Sequence, residues 1–108
     1  MFENEGFIEG TKRMRIYISG PITKDKDFYK KFLMAEARLT ADGHEVINPA
    51  KVGLLMPKSF EHKDYMDIDF ALMQKCDAIY LLKGWKASLG SVNELSFARQ
   101  RAMKIMYE

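Results

Sequence analysis

The chain has 108 residues, 17 of them basic and 15 acidic, and 47% of it is hydrophobic. That suits one domain with a modest packed core rather than a disordered chain. A formal charge of +2, with no basic run longer than two residues, argues against a nucleic-acid partner or an acidic membrane surface.

Residues 1–13 are polar and weakly patterned, and read as a flexible extension ahead of an internal start at Met14. Arg15-Ile16-Tyr17-Ile18-Ser19 reads as a short buried strand stopped by Gly20-Pro21. A polar loop follows, in which Asp27 or a neighbour caps the next helix. That helix runs to about Asp42, with Phe28, Phe32, Ala35 and Leu39 on one face. Gly43 fits the left-handed position after a helix end. His44-Glu45-Val46-Ile47 is a second strand, with His44 read as a surface or loop residue rather than a metal ligand. Residues 51–63 hold Gly53 and Pro57 and read as a loop over the strand ends, a candidate lid. Its Leu54-Leu55-Met56 cluster either covers a ligand or packs under the loop. His62 has no recognisable partner. Residues 64–75 carry Tyr65, Met66, Phe70 and Met73 at helical spacing. Asp67 and Asp69 lie about 200° apart around that helix, so one crevice can recruit only one of them. Cys76 is alone, which excludes an internal disulfide and points to a reducing compartment. With no apolar run of membrane-spanning length and no signal-peptide core, the expected location is cytoplasmic and no membrane partner is expected.

Asp77-Ala78-Ile79-Tyr80-Leu81-Leu82 is a third strand. Trp85-Lys86-Ala87-Ser88-Leu89-Gly90-Ser91-Val92-Asn93-Glu94 follows it and leads into a helix over 94–102. Lys104-Ile105-Met106-Tyr107 is a last strand. Alternating elements imply an α/β fold: a three-layer, Rossmann-like or flavodoxin-like open parallel sheet of about four strands with helices on both faces. The expected strand order is 2-1-3-4. The switch point then lies between the first and third strands, where Ser19-Gly20-Pro21 and residues 84–90 converge. Neither turn has the glycine and lysine spacing of a dinucleotide fingerprint or a P-loop. Two readings of the second turn stand open. Ser91-x-x-Glu94 fits a capping box, in which both side chains satisfy backbone N–H groups. Alternatively, Glu94 points back into the crevice as a functional carboxylate.

Four stretches together resemble the nucleoside 2-deoxyribosyltransferase superfamily, which includes the deoxyribonucleoside 5′-monophosphate N-glycosidases. They are Tyr17 to Ile22, Gly43-His44-Glu45-Val46-Ile47-Asn48-Pro49, Asp69 ahead of Cys76-Asp77-Ala78, and Ser88-Leu89-Gly90 with Glu94. The likeness covers residues 14–108 as one domain, and the Gly84-Trp85 pair is shared with a branch of short bacterial and phage proteins. The resemblance implies that Glu94 is a nucleophile toward the anomeric carbon of a 2-deoxyribosyl group, forming a covalent glutamyl intermediate. It implies that Asp69 acts as general acid or positions the sugar, and that Tyr17 hydrogen-bonds near the nucleophile. Ser19, Gly20, Pro21, Ile22, Trp85, Ser88 and Gly90 are the implied substrate-binding residues, with Ser88 and Gly90 toward the sugar's 5′ side. The implied ligand is a small nucleoside or nucleotide, no metal or organic cofactor is called for, and a homodimer or higher homo-oligomer is expected.

The chemistry is consistent with the residue types. N-glycosidic cleavage passes through an oxocarbenium-like state that two carboxyls can serve. A helix start favours an ionised Glu94, and the second carboxyl must then hold the proton. Two family features have no counterpart: a carboxy-terminal tail beyond Glu108, and a phosphate-binding arginine in the first loop, for which Lys24 and Lys26 are the nearest candidates. Plainer roles compete at other positions. Tyr17 can be a core residue, Asp69 a solvated helix carboxylate, Asp77 the orienting residue of a strand start, and Trp85 an interface anchor. The alternative function is a nucleotide- or nucleoside-binding module without turnover.

Overall fold

The structure is a computed structural model that describes residues 12–108. Most of the expected extension over residues 1–13 lies outside the described residues. Four strands, β1 (Arg15–Ser19), β2 (Glu45–Ile47), β3 (Ala78–Leu81) and β4 (Lys104–Tyr107), form one parallel sheet in the order β2-β1-β3-β4. Ile16 is registered with Val46 on one side and Ala78 on the other. This is the expected 2-1-3-4 order.

The helices are α1 (Phe28–Ala41), α2 (Pro49–Gly53), α3 (His62–Met73) and α4 (Leu89–Gln100), with a 3-10 turn at Trp85–Ala87. The pleat of β1 divides the core in two, because alternate strand residues point to opposite faces. Ile16 and Ile18 pack with Phe32, Ala35 and Leu39 of α1 and Ala50 of α2. Tyr17 packs the other way, with Met73 of α3 and Leu95 and Ala98 of α4. Burying one such apolar side chain contributes about 1.5–3 kcal/mol. Among the described residues, no helix is long and apolar enough to cross a membrane.

Several local expectations need correction. Asp27 precedes α1 but makes no side-chain cap bond, because its backbone (φ −100°, ψ 14°) is not the extended form a capping residue needs. Asp25 organises this start instead. Its carboxylate accepts from the Asp27 N–H at 2.9 Å and pairs with Lys31 at 2.7 Å. Gly43 takes the left-handed backbone as expected, at φ 93°. His44 is buried rather than on the surface. Its Nδ1 accepts from the Met14 N–H at 3.1 Å, extending the β1–β2 pairing by one side chain.

Residues 51–63 are not one loop. Asn48 caps α2, its side chain accepting from the Ala50 N–H at 3.0 Å, with Pro49 as the first helical residue. At the other end, α3 begins at His62, with Glu61 and Asp64 forming a capping box. Between the two helices Leu54 and Leu55 are 66% and 79% exposed, so neither packs under the turn. Asp77 does orient a strand start, as read: its carboxylate accepts from the Arg15 N–H at 2.9 Å.

Candidate active site

The site begins with the alternation of β1. If Ile16 and Ile18 face α1, then Tyr17 and Ser19 must face α4, where Glu94 stands. Glu94 is 5% exposed, and both its carboxyl oxygens are engaged. The Tyr17 hydroxyl donates to Oε2 at 2.6 Å, and the Ser19 Oγ–H donates to Oε1 at 2.6 Å. Both lie at the short end of the O–H···O range.

That geometry excludes the capping reading of Glu94. The helix starts at Leu89, five residues earlier than expected, and its cap is Ser88, whose Oγ accepts from the Ser91 N–H at 3.2 Å. Ser91 is therefore inside the helix, and Glu94 caps nothing. Ser91 sits one turn before Glu94, on the same face. It is buried, and its Oγ has no hydrogen-bond partner. An unmatched buried hydroxyl costs about 1–3 kcal/mol, which a ligand can recover.

Asp69 completes the group from α3. Its carboxyl is near enough to raise the pKa of both Glu94 and Tyr17. Asp67, two residues away, points out of the site and faces Lys63 at 3.6 Å from an exposed position. The helical arithmetic that allowed only one of the two aspartates into the crevice is matched. Histidine 62 was missed. Its charge acts on Asp69 from the start of the same helix. A Cβ placed on Gly90 would lie 3.8 Å from its Cε1, so His62 stands where α3 meets α4. The signal was its spacing of seven residues from Asp69, two helical turns along one face.

The protonation differs from the expected division of roles. Burial pushes Glu94 from an ordinary 4.5 up to about 8, with the Asp69 charge adding to it; the bonds from Ser19 and Tyr17 oppose but do not win. Burial also raises Asp69, while Glu94, Tyr17 and His62 pull it back. The Tyr17 hydroxyl is raised too, by burial first and then by Glu94 and Asp69, so it stays a donor. Near neutrality the free site thus keeps a proton on Glu94. The expected ionised glutamate fails here for a positional reason. Glu94 is the sixth residue of α4, beyond the first turn where the helix dipole acts.

A family model described as "Domain of unknown function (DUF4406)" matches residues 14–107, from just before β1 through the end of β4. The chain belongs to the DUF4406 family. No curated protein and no solved structure matches it.

In this DUF4406 domain the other expected substrate-binding residues divide into four groups. Ser19 and Ser88 hold Glu94 and the helix start, as described. Gly20, Pro21 and Gly90 shape the crevice. A Cβ on Gly20 would meet Leu82 at 2.9 Å, so only glycine lets the end of β1 lie against β3. Pro21 reaches across to Gly84, and a Cβ on Gly90 would make ordinary contacts with Met66 and His62 of α3, at 3.6 and 3.8 Å. Ile22 is exposed beside the mouth. Trp85 turns elsewhere. Its ring lies 6.2 Å from that of Tyr107 and lines a separate cleft at the β4 edge. The structure therefore does not bring Trp85 to Glu94. Among the described residues, no three His, Cys, Asp or Glu side chains cluster to hold a metal ion.

Proposed function

We propose that this DUF4406 domain cleaves or transfers across the N-glycosidic bond of 2′-deoxyribonucleosides or their 5′-monophosphates. The observation that carries the reading is the buried Glu94 carboxyl held at 2.6 Å by both Tyr17 and Ser19, with Asp69 beside it. The resemblance of the four sequence stretches supplies the substrate class. The shared proton suits the reaction. On ligand binding it passes from Glu94 to Asp69. Ionised Glu94 then attacks the anomeric carbon as the C–N bond breaks, and Asp69 gives the proton to the departing base. Water or a second base next attacks the glycosyl ester and yields its proton to Asp69. That proton returns to Glu94 as the product leaves. Ser91, with its unmatched hydroxyl one turn away, is a spare partner for the sugar or its 5′ substituent.

A second reading, a binding module without turnover, has one observation in its favour. A neutral Glu94 clamped by two donors is a poor nucleophile and a good fixed hydroxyl-binding wall. Incubation with a panel of deoxynucleosides and deoxynucleoside monophosphates separates the two. Free base followed by chromatography is expected under the first reading. Saturable binding of the same compounds with no base released selects the second.

We also infer a homo-oligomer, and a cytoplasmic location from the lone Cys76. Ile22, Leu54, Leu55, Leu89 and Val92 are all exposed in segments that follow the strands' carboxyl ends. Such apolar surface is suited to cover by a second copy. Light scattering is expected to give a dimer, and Leu89→Asp to shift it toward monomer. A wild-type monomer at every working concentration would remove the inference.

A further inference from the structure

The β4 edge carries a cleft of about 650 Å³ that the proposed chemistry does not use. We propose that this cleft is a second ligand site, for a small aromatic polyanion of nucleoside-triphosphate size. Its volume falls within the roughly 300–1,000 Å³ range of small-molecule sites. Three cations line it: Lys83 and Lys86 from the loop after β3, and Arg99 from α4. Among the described residues none of the three is in an ion pair. The acid in the cleft, Glu108, is already engaged on both oxygens. Oε1 accepts from the Lys83 N–H at 2.8 Å, and Oε2 pairs with Arg38 at 2.7 Å. The cleft therefore keeps an uncompensated positive charge, of the kind that phosphates bind.

Its walls also fit a ring. Trp85 and Tyr107 lie with centroids 6.2 Å apart and planes at 41°, and Tyr107 is 55% exposed. The Lys86 ammonium sits 5.9 Å from the centre of the Trp85 ring. A planar base can stack on the exposed tyrosine face while its phosphates meet Lys83, Lys86 and Arg99. This site is distinct from the Glu94 crevice. Arg99 is five residues beyond Glu94 on α4, about 140° around the helix. Occupancy of one site does not require the other.

Trp85 is the only tryptophan in the chain, so its fluorescence reports this cleft directly. The test is titration of the whole chain with ATP, with adenosine, and with inorganic tripolyphosphate. ATP is expected to quench Trp85 saturably, and each half alone to bind at least about tenfold more weakly, since ring and charge are recognised by different residues. Arg99→Ala and Lys83→Ala, both at exposed positions, should each weaken ATP binding by about tenfold or more while the circular dichroism stays native. Glu94→Gln should leave the quench unchanged, which separates this site from the proposed catalytic one. The proposal is overturned by any of three results: no saturable quench with ATP, equal binding of tripolyphosphate and ATP, or a quench that survives both cleft variants but is lost in Glu94→Gln.

Discussion

Toward α1 and α2, β1 presents Ile16 and Ile18; toward α3 and α4 the same strand presents Tyr17 and Ser19. The first face is closed by Phe32, Ala35, Leu39 and Ala50 and is apolar throughout its buried cluster. The second has an apolar floor of Met73, Ile79, Leu81 and Leu95. Above it lie two carboxyls, a phenol and two serine hydroxyls. The first face can be explained by burial alone. The second cannot, because sinking Glu94 and Asp69 raises both pKa values and leaves the Ser91 hydroxyl unmatched. A fold does not need those costs, so they point to function on the α3–α4 side.

The largest effect should separate the faces by activity. Glu94→Gln keeps the shape and much of the hydrogen bonding but removes the attacking charge. Base release should fall by several orders of magnitude with ligand binding retained, since no other group of the cluster can substitute for a nucleophile. With the wild type, a 2-fluoro-2-deoxyribosyl substrate should leave an adduct on Glu94 that peptide mass spectrometry locates. Unchanged turnover in Glu94→Gln would move the assignment to Asp69 or end it.

The apolar face should fail differently. Phe32 is 1% exposed, and Phe32→Ala should cost about 3–5 kcal/mol of stability through the cavity it leaves. Turnover per folded molecule should hold, because Tyr17, Ser19 and Glu94 lie across the sheet. Denaturant unfolding alongside single-turnover assays at low temperature tests this, and a loss of both together would mean that the faces are coupled.

The pH dependence sharpens the contrast further. Glu94 keeps its proton up to about 8 in the folded chain but only to the ordinary 4.5 when unfolded. The folded state therefore binds more protons between those values. Its stability contribution is whole below about 4.5 and is lost as pH rises through about 8. Asp69, also raised, acts in the same direction. Melting temperatures across this window should slope downward in the wild type and flatten in Glu94→Gln; parallel slopes would mean that Glu94 is not the titrating group. In activity, kcat/KM should climb toward pH 8 if the free enzyme must first ionise Glu94.

How much of this was legible in the residues follows from how local each signal is. Strand order came through because alternating β and α elements leave few right-handed arrangements. The Asp67–Asp69 split came through because it is helix arithmetic. The start of α4 did not. Ser88-x-x-Ser91-x-x-Glu94 offers two capping frames, and only the contact of Glu94 with β1, more than 70 residues away, selects the first. Asn48-Pro49 announces α2, as a capping residue before a first-turn proline, a signal that the reading of residues 51–63 as one loop passes over. The buried role of His44 depends on a partner in another element, the Met14 N–H, which no spacing displays.

The smallest expected effect is the most discriminating within one helix. Asp67 and Asp69 share α3, but Asp67 is exposed and sits 3.6 Å from an exposed Lys63. Surface pairs of that kind contribute about 0–1 kcal/mol. Asp67→Asn should therefore leave both stability and turnover close to the wild type. Asp69→Asn makes the same chemical change two residues along. It removes the charge that helps to hold Glu94 at about 8, so the Glu94 pKa should fall. The amide cannot carry a proton to the leaving base, so turnover should drop, and most for substrates whose bases leave poorly. The fall in stability with rising pH should end at a lower pH in Asp69→Asn than in the wild type, and be smaller, because folded Glu94 now ionises earlier while the unfolded value is unchanged. If both aspartates proved equally dispensable in the base-release assay and in the pH profile of melting, Asp69 would be a helix carboxylate that happens to be buried. The proton shared between the two carboxyls would then have no part in the chemistry.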